Sequence, residues 1–292
     1  MSKILGIDVS KWQGFVNWRI AVSNGARFAY IKSSQWTTDP RFKENWENSK
    51  GLLARGAYHF LDWGLSEVKQ AEIMVSSMGN DFGELPPVCD FEQEPAPYGL
   101  TNEQAIAKLK RFLDTVENLT GRIPAIYTGY YRWNRLGNTL PKWKRYPLWL
   151  PWYVTKAWMY FCTKGGTGAP KPWINWTFWQ YTDKGNGLAY GCQSASVDLE
   201  EFYGSEEDFA LLTSGSIPVP PVPIPIQNLY VANANPRVRS SPDSTSLTNV
   251  IGVLMKGAKV VVDKIDNGWA HIIPTTSYPN GGWVWAVYIT KV

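Results

Sequence analysis

Short apolar runs recur through the first 200 residues, and between the early ones the apolar positions change to a helical spacing. The runs are ILGIDVS (4–10), FAYIKSS (28–34), GAYHFL (56–61), LPPVCDFE (85–92), IPAIYTG (123–129), PLWLPWY (147–153) and TFWQYTD (177–183). Each has strand length and strand composition. RFKENWENSKGLLA (41–54), SEVKQAEIMVSSMG (66–79) and TNEQAIAKLKRFLDTVENLTG (101–121) are amphipathic at helical period. The last is the best marked: Thr101 and Gln104 have capping-box spacing, and Gly121 suits a C-terminal stop. Strand alternating with helix predicts parallel strands covered by helices. Seven or eight such strands predict an α/β fold closed into a (β/α) barrel, irregular in its second half because helical spacing fades after residue 140.

The pattern breaks at SGSIPVPPVPIPIQN (214–228). Its prolines exclude helix and central strand and favour an extended spacer rising about 3.1 Å per residue. Beyond it, VIGVLMKGAKVVVDKIDNGWAHIIPT and GGWVWAVYIT are β-rich runs broken by turn residues, and Asp266-Asn267-Gly268 marks a hairpin. This tail predicts a small all-β barrel. The expected divisions are therefore a barrel at 1–213, a linker at 214–227 and a β domain at 228–292.

Composition narrows the chemistry. The formal charge of +4 comes without a Lys/Arg block, which argues against nucleic acid and suits an anionic polymer. The 16 Trp and 15 Tyr serve a heavy core or stacking surfaces for sugar rings. Cys89, Cys162 and Cys192 are odd in number and lack metal spacing, and only His59 and His271 exist. A disulfide framework and a zinc site are not expected, and neither is a cofactor. No apolar stretch is long enough to span a bilayer, so stable membrane association is not expected. The N-terminus, MSKILGIDVSKWQG, lacks a long apolar segment, which predicts no Sec signal peptide and synthesis in the cytoplasm.

The sharpest feature is LPPVCDFEQEP (85–95), with Asp90, Glu92 and Glu94 at the end of an apolar run. In a strand, residues two apart share a face, so Asp90 and Glu92 point together with Cα atoms about 6.6 Å apart. Phe91 and Cys89 point the other way, which makes Cys89 a structural thiol. Pro95 ends the run, and Glu94 reads as solvated. Asp8 ends ILGIDVS, and Asp198 in SASVDLEEF ends another apolar run. In a parallel barrel all of these strand ends meet at one mouth. Crowded carboxylates raise one another's pKa, and a carboxylic acid still protonated near neutral pH can protonate a leaving oxygen. Paired carboxylates of this kind serve glycoside hydrolysis; metal ligands, caps and solvated loop charges are the alternatives.

GIDVSKWQG (6–14), GAYHF (56–60), DFE (90–92), IYTG (126–129), LW (148–149), FWQY (178–181) and VDLEEF (197–202) together resemble glycoside hydrolase family 25, the Chalaropsis-type lysozymes. The matches follow the family's order over about residues 4–212. The tail resembles a bacterial SH3-like cell-wall-binding domain. The resemblance implies cleavage of the β-1,4 bond between N-acetylmuramic acid and N-acetylglucosamine in bacterial peptidoglycan. It makes Glu92 the general acid/base and Asp90 the carboxylate that assists the substrate's N-acetyl group or orients the attacking species. Asp8 and Asp198 are the other cleft acids, and Tyr58 and Tyr127 line the sugar site. Trp12 and Gln180 are further candidates for touching sugar. The chain departs from the family at Glu200 or Glu201, where members often carry Asn, and in LWLPWY. A phage endolysin acting on the wall after release is the expected biology. A bacterial autolysin, a non-catalytic wall-binding protein and a Cys-dependent endopeptidase using Cys89 with His59 are the other readings.

Overall fold

Eight strands, in sequence order, close a barrel in the computed structural model of this chain. They are β1 Ile4–Val9, β2 Ala26–Ser34, β3 Ala54–Phe60, β4 Val88–Asp90, β5 Ala125–Tyr127, β6 Leu148–Pro151, β7 Phe178–Asn186 and β8 Ser196–Phe202. The described residues are 3–136, 140–164, 166, 168–214, 229–272, 278 and 281–291. The chain divides into two units, residues 1–218 and 219–292. The linker expected at 214–227 lies outside the described residues apart from Ser214.

The expectation of parallel strands holds from β1 to β7 and fails at β8, which runs antiparallel to both of its neighbours. Residues 187–195 are too short to hold the crossover that a parallel return needs, so the chain turns straight back.

The helices are α1 Trp18–Ser23, α2 Phe42–Ser49, α3 Glu67–Met78, α4 Asn102–Thr120, α5 Tyr130–Leu136, α6 Lys156–Lys164 and α7 Glu206–Thr213. In α4 the Thr101 hydroxyl accepts from the Gln104 N–H at 3.3 Å, and the Gln104 amide oxygen accepts from the Thr101 N–H at 2.8 Å. Gly121 closes the helix in the left-handed region. Ala105, Leu109, Phe112, Leu113 and Val116 form its buried stripe. The sequence pattern missed α5, α6 and α7, and with them the six-residue α1. The first two are rich in aromatic residues, and Tyr131, Trp158 and Phe161 are exposed, which blurs the amphipathic contrast.

Strand alternation divides the core in two. Ala29, Ile31, Ala57, Cys89, Ile126 and Trp179 pack outward against the helices. Phe28, Tyr30, Tyr58, Val88, Trp149, Phe178 and Phe202 fill the barrel. Gly6 and Gly56 make room for them: a Cβ at Gly6 would lie 2.3 Å from the Phe28 ring, and one at Gly56 would lie 2.1 Å from the Tyr30 ring. The base of the barrel is plugged by α7, whose Phe209 packs on Phe28 and Phe202 with ring centroids 5.9 and 5.2 Å apart.

The second unit is an antiparallel sheet of seven strands: β9 Leu229–Ala232, β10 Arg237–Arg239, β11 Val250–Val253, β12 Lys259–Asp266, β13 Trp269–Ile272, β14 Gly282–Trp285 and β15 Ile289–Lys291. Their order is β11-β10-β14-β13-β12-β9-β15. The predicted hairpin joins β12 to β13, with Asp266 paired to Trp269. Asn267 and Gly268 take φ of 47° and 80°, the positive pair that a two-residue hairpin turn requires. Val238, Ala270, Ile272 and Val284 form its core. Among the described residues no helix is long and apolar enough to cross a membrane.

Candidate active site

The last inward-facing layer of the barrel is polar where the layers below it are aromatic. Alternation places Asp8 two residues after Gly6 on β1, Lys32 after Tyr30 on β2, Asp90 after Val88 on β4, Tyr127 after Ala125 on β5 and Gln180 after Phe178 on β7. Antiparallel β8 brings Asp198 to the same layer from its first half, directly paired with Asp8. Asp198 therefore reaches the mouth near the start of its strand, not at the end as a parallel barrel requires.

These side chains line one cavity of about 260 Å³ with Trp12, Tyr58, Glu92 and Trp149. All eight residues singled out in the sequence, Asp8, Asp90, Glu92, Asp198, Tyr58, Tyr127, Trp12 and Gln180, are in its wall. Strand β4 ends at Asp90, so Glu92 stands on the loop beyond it, still facing the cavity. Trp12 is 74% exposed and bridges to a neighbouring cavity of about 370 Å³ that Trp36 and Lys32 also line.

Gln180 ties the mouth together. Its amide nitrogen donates to Asp8 at 2.7 Å and to Asp198 at 3.2 Å. Its oxygen accepts from the Tyr127 hydroxyl at 3.0 Å and the Tyr153 hydroxyl at 2.8 Å. Gln180 lines the cavity with its amide already committed to four protein side chains, so it orients the cleft acids.

Burial raises all four carboxyls from their ordinary values. Asp90 is raised well above its own, chiefly by burial and then by the charges of Glu92 and Asp8, against a smaller opposite pull from Lys32 and Arg132. Its Oδ1 is buried without a protein hydrogen-bond partner. Desolvation raises Glu92 as well, with Asp8 adding and Arg132 and Lys32 opposing. Glu92 nevertheless stands open to the cleft, whereas Asp90 is 7% exposed. Asp198 is pushed up to about 8 by burial and by Asp8, Asp183 and Glu92. Asp8 is also raised by burial.

The loop carrying Glu92 is fastened from behind by Arg132 on α5. Its guanidinium donates to the Phe91 carbonyl at 3.1 Å and to the Gln93 carbonyl, and lies over the Phe91 ring at 4.9 Å. Arg132 and Arg135 pair with Glu94, so that third carboxylate is an anchor of the loop outside the cavity. Trp152 packs on Trp158 and on Tyr130 beside the barrel.

The thiol alternative fails on geometry. Cys89 and His59 are register neighbours, but both face the helix layer. The His59 ring bonds Ser34 at 2.8 Å and Gln70 at 3.0 Å and stacks on Phe112. Burial lowers its pKa to about 4 and raises the Cys89 thiol well above its usual value. Among the described residues no group of three His, Cys, Asp or Glu side chains is arranged to hold a metal ion.

Sequence reasoning passed over Lys32, Tyr153, Trp149 and Arg132. Lys32 carried a readable signal, a lone charge inside an apolar strand and in step with Tyr30. Trp149 carried none, since nothing in LWLPWY says which of its two tryptophans turns inward.

Comparison with known proteins agrees with this geometry. The model of "Glycosyl hydrolases family 25" matches residues 7–188. Lysozyme M1 of Streptomyces globisporus is 35% identical over 70% of this chain and 69% of its own. The N,O-diacetylmuramidase of Chalaropsis is 32% identical over 73% of this chain and all of its own. The crystal structure of a bacterial lysozyme from Streptomyces coelicolor superposes with a TM-score of 0.63 at 31% identity, covering 74% of this chain and 99% of that one. A family match across most of the barrel, on a mouth lined by four desolvated carboxyls, makes this chain a glycoside hydrolase belonging to glycosyl hydrolases family 25.

Proposed function

We propose that the chain is an N-acetylmuramidase that hydrolyses the β-1,4 bond between N-acetylmuramic acid and N-acetylglucosamine in bacterial peptidoglycan, with Glu92 as its general acid. The observation that carries this is the Asp90–Glu92 pair, two carboxyls in the wall of one cavity of which only Glu92 opens to the cleft. Burial and mutual repulsion raise the hold of such a pair on a proton, and Glu92 is the position from which that proton reaches a glycosidic oxygen. Asp90 then faces the developing positive charge of the sugar ring as an anion. Asp8 and Asp198 add negative potential, and Tyr58, Tyr127 and Trp12 offer the aromatic and hydroxyl surface that a sugar ring packs on. The names of the two relatives, a lysozyme and a diacetylmuramidase, support the same bond. Digestion of purified peptidoglycan followed by reducing-end analysis tests it. New muramic acid reducing ends are expected; new free amines or glucosamine ends would overturn it.

The second unit is proposed as an SH3-like wall-binding tether. It carries six basic and three acidic residues, a balance suited to an anionic wall. Arg237, Arg239, Trp269, Trp285 and Tyr288 line a cavity of about 540 Å³ there, with Trp285 edge-on to Trp269 at 4.9 Å. Tethering raises the local concentration of the barrel at an insoluble substrate. Replacing Arg237 and Trp285 by alanine in the full chain is expected to weaken sedimentation with walls while hydrolysis of soluble fragments is kept. Unchanged sedimentation removes the cavity from wall binding.

The biology that fits best is a phage endolysin released from the cytoplasm where it is made. None of the three cysteines forms a disulfide, which suits a reducing compartment. Fractionation of expressing cells checks this: the protein is expected to stay inside until the membrane is breached, and spontaneous appearance outside intact cells would favour an autolysin.

A further inference from the structure

One layer below the mouth lies an acid that this mechanism does not use. Glu200 follows Asp198 by two residues on β8, so it points into the barrel, paired in register with Gly6 on β1 and Gln180 on β7. It is 0% exposed. Neither of its oxygens has a well-formed hydrogen bond from a protein N–H or hydroxyl, the Gln180 amide being close enough only to favour its charge, and among the described residues no cation pairs with it. Its carboxyl is instead in hydrogen-bonding contact with that of Asp8.

Two carboxyl groups in contact away from water cannot both be anions; one carries a proton, and the contact is then an O–H···O⁻ hydrogen bond. The surroundings say which one. Asp8 receives the Gln180 amide at 2.7 Å and feels Lys32, both of which favour its charge. Glu200 has full burial and the charges of Asp8 and Asp198 against it, with Gln180 the opposing influence. Tyr30 on β2, Tyr181 on β7 and Tyr190 before β8 also feel its charge, and none of them is a cation.

We propose that Glu200 is a neutral carboxylic acid that donates its hydroxyl hydrogen to Asp8, and so acts as a positioning residue that holds Asp8 ionised and aimed at the cleft. With Gln180 it gives Asp8 two donors and a fixed orientation. Only Asp8 faces substrate; Glu200 acts through it. Deprotonation of Glu200 at high pH would set two anions in contact and turn Asp8 out of place, giving the enzyme an alkaline limit that originates below the cleft. The catalytic consequence rests on the muramidase reading; the protonation state does not.

The test is carried out on the full chain with two variants. Glu200→Gln supplies a permanent donor, so it is expected to keep kcat on soluble peptidoglycan fragments within about threefold and to move the alkaline limb upward. Glu200→Leu removes the donor and is expected to lower kcat about 10- to 100-fold with KM little changed, the size of one charge-assisted hydrogen bond. In protein labelled with carboxyl-¹³C glutamate, the resonance that vanishes in Glu200→Gln is expected at the position of a neutral acid at pH 6. Equal losses in both variants, no loss in Glu200→Leu, or a resonance at the carboxylate position at pH 6 each overturn the proposal. If the wild-type chain cuts no glycan, the muramidase reading fails while the ¹³C measurement still decides the state of Glu200.

Discussion

The two ends of the barrel hold acids of the same kind in opposite states. At the base, Arg55 is fully buried and pairs with Asp81 at 3.1 Å and Glu84 at 2.9 Å, and Lys50 adds a second cation to Asp81 at 3.0 Å. Burial alone would raise Asp81, but the hydrogen bonds from Arg55 and Lys50 outweigh it and hold the carboxyl at about 2. At the mouth the cations point elsewhere: Lys32 donates to Gln35 at 3.3 Å, and Arg132 pairs with Glu94. There desolvation wins, and Asp198 sits at about 8. What separates the stabilising acid from the chemically poised ones is a cation in contact together with shallower burial: the Asp81 side chain is 35% exposed, whereas Asp8 and Asp90 are buried with no cation on them. The pH dependence follows with opposite sign. Asp81 contributes stability above the ordinary carboxylate range, and this is lost as pH falls towards about 2. Asp198 favours the fold while protonated, and that contribution is lost as pH rises from the carboxylate range through about 8.

The widest split between the two ends is expected from Glu92→Gln. Hydrolysis of purified wall should fall about 10²- to 10⁴-fold, the usual contribution of a general acid, while thermal unfolding followed by circular dichroism is unchanged or shifted upward. Glu94→Gln, which only loosens the loop anchor, should cost far less. An equal loss there would show that the wrong glutamate was assigned.

Asp90→Asn comes next. It removes the anion under Glu92 and should cost about 10²-fold in kcat, with KM on soluble fragments nearly constant. A change confined to KM would make Asp90 a binding residue. Arg55→Ala should show the reverse pattern. Unfolding in urea is expected to show a loss of about 3 kcal/mol, because Arg55 fills a buried site and anchors two acids, while kcat per folded molecule stays the same. A large kcat loss in folded Arg55→Ala would break the separation between base and mouth.

Much of this division was legible in the sequence. Periodicity located the first seven strands and the three best-formed helices, and Thr101 with Gln104 and Asn267 with Gly268 marked their own caps and turns. Strand parity brought Asp8, Asp90 and Glu92 to one mouth. The direction of β8 was not read, because a short apolar run looks the same in either direction; the shortness of the connection before it was the available signal. Arg132 and Arg55 were invisible for a different reason. Each acts through residues 26 to 41 positions away, and nothing local distinguishes a buried arginine from a surface one. Glu200 was seen only as a departure from the family's pattern, since its meaning depends on contact with Asp8, 192 residues earlier.

The smallest expected effect tests the sign of the comparison most directly. Asp198→Asn removes a charge that the fold disfavours, and its amide oxygen can still accept the hydrogen bond that Gln180 gives Asp198 at 3.2 Å. The substitution should therefore stabilise the barrel wherever Asp198 of the unfolded chain is ionised, by an amount that grows up to about pH 8, and do nothing below the carboxylate range. Because Asp198 is partly open to the cleft and shares its titration with its neighbours, only a fraction of the shift becomes stability, roughly 1 kcal/mol or about 2–4 °C in Tm. Melting curves of both proteins between pH 5 and pH 9 measure it. The gap should already be opening at the acid end, widen steadily up to about pH 8 and stay constant above it, with the variant higher. A gap that is constant with pH would mean that Asp198 does not titrate in this window. A variant less stable at pH 9 would mean that Asp198 is held as a paired anion like Asp81, and the contrast between mouth and base would then stop at Asp90 and Glu92.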